Sequence, residues 1–175
     1  MFRPAASHEW LAIDERLCLR LSHAARIHCL RTLLRAVSRL GDGVFWYALM
    51  LALLAADGTA AIAPLLHMVA AGLAGTMLYR WLKAKTSRPR PYRVNRAITC
   101  NARPLDQFSF PSGHTLHAVA FTAIAIAYYP QLSYLLIPFA FLVALSRMVL
   151  GLHYPSDVLA GAAIGAAIAG ISLVL

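Results

Sequence analysis

Three short stretches of this sequence carry residue types that together could handle a phosphate. The first runs from Lys83 to Arg90-Pro91, the second is Pro111-Ser112-Gly113-His114, and the third is Ser146-Arg147 followed by His153 and Asp157. Lys83, Arg90 and Arg147 are cations at the ends of apolar runs, and a guanidinium presents planar donors that match phosphate oxygens. Ser112-Gly113 stands directly before an apolar helix, where unpaired amides and the helix dipole favour an anion and a glycine lets the backbone come close. His114 and His153 supply imidazoles suited to proton transfer near neutral pH, so that one can attack while the other protonates a leaving oxygen. Asp157 follows His153 at a helical-turn spacing, where a carboxylate would fix the ring's tautomer and stabilise its imidazolium. That placement requires Pro155 to fall in the first turn of a helix, the one region that tolerates proline.

Other chemistries fit less well. A metal site could be assembled from His114, His153, Asp157 and Asp106, but Asp106 is the one acid in a loop region that carries seven Lys and Arg between Lys83 and Arg103, and hard cations want carboxylates. No metal and no cofactor are therefore expected. Cys18, Cys29 and Cys100 form no CxxC pair, which signals neither a disulfide framework nor a zinc site. A formal charge of +9, from 16 basic and 7 acidic residues, admits nucleic acid as a partner. The basic residues nevertheless border apolar runs and lack the interleaved aromatics of a single-strand binder, so anionic lipid headgroups or an anionic substrate are expected and nucleic acid is not.

The elements that must position these groups are membrane spans. Apolar residues make up 60% of the chain and the mean hydropathy is +0.64, above the usual range of a soluble domain. They fall in five segments, roughly 44–56, 60–82, 115–129, 132–150 and 158–175. The first and third are shorter than the ~20 residues of a straight crossing. Gly41-Asp42-Gly43, Asp57-Gly58 and Pro130-Gln131 read as turns. Ahead of the spans, Ile13, Leu17 and Leu21, then Ile27, Leu30, Leu34 and Val37, recur at helical spacing with Arg16, Arg20, Arg31 and Arg35 elsewhere. That pattern fits amphipathic helices on the membrane surface or helices packed against the protein's own spans.

The fold class expected is an all-α integral-membrane protein: a compact bundle of about five transmembrane helices with an N-terminal amphipathic surface segment. It is a single domain over residues 1–175, with 1–42 at the surface, 43–175 as the core, and site-bearing loops at 83–114 and 146–157. Alternating crossings bring Lys83, His114, Arg147 and Asp157 to one face. Gly161 and Gly165, spaced as GxxxG, allow close helix approach, either between two copies in a homodimer or within the bundle. His117 shares a helical face with His114, and His67 lies inside the second span; each is read as a packing residue or a candidate second polar contact. Lys85, Arg88, Arg93, Arg96 and Arg103 are read as holding headgroups or the membrane surface. The N-terminal stretch has no apolar core leading to a small-residue cleavage site, so a cleaved signal peptide is not expected.

These residues resemble the signature of the type 2 phosphatidic acid phosphatase (PAP2) family, K-x6-RP, PSGH and SR-x5-H-x3-D, matched at every position by Lys83, Arg90 and Pro91, by Pro111 to His114, and by Ser146, Arg147, His153 and Asp157. The resemblance implies a metal-independent phosphatase in which His153 attacks phosphorus to form a phosphohistidine, Asp157 orients it, and His114 serves as general acid and then base. Lys83, Arg90, Arg147, Ser112 and the Gly113 amide would hold the phosphate oxygens. It also implies a membrane lipid substrate, with a polyprenyl diphosphate such as undecaprenyl diphosphate expected ahead of phosphatidylglycerophosphate or phosphatidate. A lipid phosphotransferase or a silent scaffold are the other classes. The resemblance implies a bacterial inner membrane with the site on the periplasmic face, whereas the crowding of Lys and Arg on that face would, by the positive-inside rule, put it in the cytoplasm.

Overall fold

A computed structural model describes residues 5–174. Its helices are α1 (Ala5–Ser22), α2 (His28–Arg39), α3 (Phe45–Asp57), α4 (Ile62–Thr86), α5 (Pro91–Val94), α6 (Gly113–Tyr128), α7 (Ser133–Val149) and α8 (Pro155–Val174). The described residues form no strand apart from an isolated bridge between Pro89 and Phe108. The apolar stretches 28–86, 130–149 and 155–174 are long enough to cross a membrane, and turns at 40–44 and 58–61 divide the first into α2, α3 and α4. With the shorter apolar helix α6, this is the all-α integral-membrane bundle expected from the sequence, with α3, α4, α6, α7 and α8 as its spans. Leu51, Leu66, Leu73, Met77, Phe141 and Ile171 lie exposed around the bundle, as side chains facing hydrocarbon should.

Helix α6 is the axis, with Leu116, Ala118, Ala120, Ile124 and Ala125 fully buried. Helix α8 reaches it through Gly161 and Gly165: a Cβ on Gly165 would lie 2.4 Å from the Leu116 carbonyl oxygen and one on Gly161 would lie 2.5 Å from that of Ser112. Both distances are far inside van der Waals contact. The GxxxG pair therefore serves packing within the chain, and the homodimer reading loses the surface that suggested it.

The N-terminal segment packs against the protein's own bundle, one of the two readings the sequence left open. In α1 the row that turns inward is Asp14, Cys18 and Ser22, all buried, while Ile13 and Leu17 are exposed. The polar row packs on the protein and the apolar row is left for lipid. In α2, Leu34, Val37 and Ser38 are buried, with Leu34 packed among Val149, Leu150 and Leu152. The surface helices thus form a wall against the loops at one end of the bundle. Gly151, at φ 74°, lets the 150–154 turn lie against that wall's neighbour, since a Cβ there would meet the Thr99 carbonyl oxygen at 2.7 Å.

Candidate active site

The residues singled out by type and spacing converge at one end of the bundle. Lys83 ends α4, Arg90 precedes α5, Gly113 and His114 open α6, Arg147 closes α7, and His153 sits in the turn before α8. Pro155 is the first residue of α8 and Asp157 lies in its first turn, the arrangement the proline demanded. A cavity of about 780 Å³ is lined by Lys83, Arg90, Gly113, His114, Arg147 and His153. Ser112 stands apart: it is fully buried, its hydroxyl is paired with Thr115 Oγ1 at 3.0 Å, and its amide donates to the Asp157 carbonyl at 3.0 Å.

His153 is 1% exposed. Its Nε2 lies 3.3 Å from Arg90 Nη1, and its Nδ1 lies 3.6 Å from Asp157 Oδ2, a gap longer than a hydrogen bond that leaves Nδ1 buried and unpaired. Burial first, then the charges of Arg147, Arg90 and Lys83, push this imidazole well below its ordinary range, so it is neutral at physiological pH, with a ring lone pair facing Arg90. Asp157 is held from two sides, accepting from the Tyr154 amide at 2.9 Å and from Arg88 Nη1 at 2.7 Å. Arg88 also donates to Asp14 Oδ2 at 2.6 Å, and Asp14 accepts from the Ser156 amide at 3.0 Å. Burial alone would weaken the Arg88 charge, but Asp157 and Asp14 outweigh it and raise the pKa of its guanidinium. Arg88, read from sequence as a headgroup or surface residue, is instead the link from α1 to the carboxylate behind His153.

The cations are not free in this structure. Lys83 Nζ donates to both Asp106 oxygens at 2.9 and 2.8 Å and to the Phe108 carbonyl at 3.1 Å, which occupies its three N–H groups. Arg90 donates to Asp106 Oδ1 at 2.8 Å and to the Leu152 carbonyl at 2.8 Å. Burial pushes the Asp106 carboxyl up, but the Lys83 hydrogen bond and the charges of Lys83 and Arg90 outweigh it and hold it below the ordinary 3.8. Arg147 donates to Ser38 Oγ and has a buried, unpaired Nε. His114 Nε2 lies 3.4 Å from Asp42 Oδ1, in the turn that joins α2 to α3. The metal alternative is not assembled: Asp106 is committed to Lys83 and Arg90, Asp157 to Arg88, and no three His, Cys, Asp or Glu among the described residues are grouped to hold an ion.

Sequence reasoning read Asp42 as turn material, considered Asp106 only as a metal ligand, and passed over Asp14 altogether. The signal available was sign: each is an acid beside a strongly basic site. His117 ties α6 to α4, its Nε2 lying 3.1 Å from the Gly72 carbonyl and 3.2 Å from Thr76 Oγ1. His67 pairs with the Tyr128 hydroxyl at 3.1 Å. Both occupy packing positions, while Lys85, Arg93, Arg96 and Arg103 are exposed.

An all-α membrane bundle with paired histidines and a cluster of cations at one end has recognisable relatives. The chain belongs to the PAP2 superfamily, whose profile matches residues 61–175. Among curated relatives, it is 43% identical over 58 residues to a lipid A 1-phosphatase of Rhizobium johnstonii, 33% of this chain and 24% of that protein. It is 40% identical over 94 residues to the decaprenylphosphoryl-5-phosphoribose phosphatase of Mycobacterium tuberculosis, 51% of this chain and 49% of that protein. The matched stretches thus span half or less of those relatives. The crystal structure of LpxE from Aquifex aeolicus is similar with a TM-score of 0.76 and 28% identity, covering 90% of this chain and 93% of that one. A PAP2-type phosphatidylglycerolphosphate phosphatase from Bacillus subtilis shares the fold, with a TM-score of 0.72 at 22% identity over 98% of this chain and 86% of that one.

Proposed function

We propose that this protein is a metal-independent lipid phosphatase that works through a phosphohistidine on His153. The observation that carries the reading is the environment of that ring: neutral, buried, Nε2 beside Arg90 on a cavity it shares with His114, and Nδ1 turned to Asp157. In the first step Nε2 attacks phosphorus, the bond from phosphorus to the leaving oxygen breaks, and His114 gives that oxygen a proton. Asp157 steadies the charge that His153 acquires. In the second step neutral His114 takes a proton from water, the water oxygen attacks phosphorus, the P–N bond breaks, and phosphate departs. Lys83, Arg90, Arg147 and the Gly113 amide neutralise the equatorial oxygens, the electrostatic role on which phosphoryl transfer chiefly depends. Ser112 is fully buried beside Thr115 and joins them only by turning toward the cavity. Because the Lys83 donors are all occupied, an arriving phosphate must displace Asp106, a half-exposed side chain on a loop.

A lipid is favoured because the same cavity continues between α3 and α4 past Trp46, Met50 and Val69 to Tyr47 and Leu73, the last two exposed on the lipid-facing surface at 69% and 62%. A tail can remain in the membrane while its phosphate enters the site. Within that class we assign a polyprenyl diphosphate such as undecaprenyl diphosphate; likeness to a phosphatase named for a decaprenyl lipid supports the polyprenyl tail. For the face of the membrane we assign the periplasmic side of a bacterial inner membrane.

Phosphate release from undecaprenyl diphosphate, phosphatidylglycerophosphate and phosphatidate, measured in detergent with EDTA for wild type and His153→Ala, tests the mechanism and ranks the lipids. Release that survives EDTA and disappears in the variant is expected. Release abolished by chelation, or unchanged in His153→Ala, overturns the mechanism, and transfer of phosphate to an alcohol in place of water would make the protein a phosphotransferase.

A further inference from the structure

A second cavity of about 760 Å³ lies beside the first and meets it at Asp42, Leu105, His114 and Arg147. Its chemistry is different. Where the first cavity runs out along apolar helix faces, this one is walled by Arg35, Ser38 and Arg39 of α2 and by the Cys100–Leu105 loop, which adds Arg103. None of these three arginines belongs to the signature, and none is paired with a carboxylate among the described residues. Asp42 is the one acid lining the cavity, and its carboxylate is directed to His114.

Arg35, Arg39 and Arg103 are exposed, and two features of their arrangement point to an anion. Arg35 and Arg39 are one helical turn apart, continuing a row from Arg31, and like charges at that spacing destabilise a helix; an anion between them would remove the penalty. The wall is also built: Arg35 Nε donates to the Asn101 carbonyl, and Asn101 in turn donates its amide to the Leu150 carbonyl at 3.0 Å. Helix, loop and the turn bearing His153 are thereby locked together around a concave, cationic space.

The geometry points to a second anion subsite, formed by Arg35, Arg39 and Arg103, that receives a further negatively charged group of the substrate, a phosphate or carboxylate within a few bonds of the scissile phosphate. This rests on the phosphatase reading above. His114, the proton donor to the leaving oxygen, stands between the two cavities, so whatever polar group is attached on the leaving side reaches the arginines while the tail follows the apolar groove. In a lipid diphosphate that group is the retained phosphate. The alternative source of the same chemistry is the headgroup of a bilayer lipid resting in the cavity.

Farnesyl monophosphate and farnesyl diphosphate share a tail and differ by one phosphate. Their kcat/KM values, measured in neutral detergent for wild type and Arg35→Gln/Arg39→Gln, isolate the subsite. The diphosphate-to-monophosphate ratio is expected to fall by about tenfold or more, the scale of losing charge-assisted hydrogen bonds, and to recover in part in Arg35→Lys/Arg39→Lys. An unmoved ratio overturns the proposal, as does an equal fall on both substrates in the variant together with activation by added anionic lipid in wild type but not in the variant, which would assign the cavity to a bilayer headgroup. Should the double variant fail to give monodisperse protein, Arg103→Gln decides by the same ratio. If wild type hydrolyses neither compound, the polyprenyl diphosphate assignment fails on its own. The subsite is then judged by thermal protection: pyrophosphate should protect wild type more than orthophosphate does, and that difference should vanish in the variants.

Discussion

Asp42 stands where a carboxylate should be unwelcome, inside a phosphate site, and its contact with His114 explains why it is there. If His114 donates the proton to the leaving oxygen, a carboxylate 3.4 Å from Nε2 stabilises the protonated ring. At that separation a full charge pair is worth about 5 kcal/mol at an effective dielectric of ~20 and about 1 kcal/mol in water. Because the Asp42 side chain is 39% exposed, the aqueous end is the better guide, and about 1–2 kcal/mol is expected after solvent screening. Asp42→Asn keeps the shape and removes the charge. It should lower the protonated fraction of His114 about 5- to 30-fold and slow the chemical step by up to that factor where departure needs a proton. Diacylglycerol leaving from phosphatidate is such a case, because its alkoxide is strongly basic. The penalty should be much smaller for p-nitrophenyl phosphate, whose phenolate departs without help. The assay is single-turnover phosphorylation of the enzyme with each substrate. An equal fall on both would make Asp42 a structural residue of the α2–α3 turn, and no fall on phosphatidate would refute its coupling to His114.

Other outcomes follow from the same contacts. Asp106→Asn should free Lys83 and Arg90 for an incoming anion, so orthovanadate should inhibit the variant at several-fold lower concentration while the melting temperature drops; a lower melting temperature with unchanged inhibition would show that Asp106 never competes with phosphate. Stability should depend on pH in two windows. His153 has a depressed pKa in the folded protein, so the unfolded chain binds its proton first, and stability should be level above pH ~6.5 and decline below it by at most about 1.4 kcal/mol per pH unit. The Asp106 carboxyl is also held below its ordinary 3.8, so its contribution persists above that value and is lost only as the pH falls further. Melting curves from pH 8 to 4 for wild type and His153→Gln check the first window, since the variant should lose that part of the slope. Finally, Gly165→Leu should prevent folding or cost ~3 kcal/mol or more through overpacking, whereas Gly170→Leu, with nothing within 4 Å of its Cβ, should be tolerated; equal behaviour of the two would contradict the α6–α8 contact.

The bundle was legible because hydrocarbon imposes a simple rule on sequence: apolar runs of spanning length, with turns such as Asp57-Gly58 and Pro130-Gln131 between them. The site was legible where its residues cluster locally, as in His153 and Asp157 around Pro155. What escaped notice joins distant parts of the chain. Asp14 meets Arg88 across 74 positions and Ser156 across 142, and no periodicity within α1 marks its Asp14–Cys18–Ser22 row as the inward one. The apolar stripe there pointed the other way, because in a membrane protein the hydrophobic face can be the outer one. Ser112 shows the converse: its motif position is unambiguous, yet its hydroxyl turns to Thr115 in the absence of anything in the signature that would say so.

Asp14 and Asp106, which the signature omits, join the signature's Asp157 in resolving an electrostatic problem at the site. Lys83, Arg88, Arg90 and Arg147 are gathered at one end of an apolar bundle, where unpaired charge is costly to bury. Asp106 answers Lys83 and Arg90, and Asp14 and Asp157 answer Arg88. Arg147 rests on Ser38 with an unpaired Nε. The pairings differ in kind. Asp157 is fully buried, so its pair with Arg88 is built into the frame, and Asp14, at 8% exposure, makes α1 part of that frame. Asp106 is the most exposed of the three, on a loop from which a phosphate can displace it, and Arg147 is the least satisfied of the buried cations. An arriving phosphate therefore meets a rigid half, which fixes His153, and an exchangeable half, where it takes the place of one carboxylate and supplies the partner that Arg147 lacks. Cations held ready in this way need little reorganisation as charge develops on the transferring phosphoryl group, which is how protein side chains can carry the part that a metal ion plays in other phosphoryl-transfer sites.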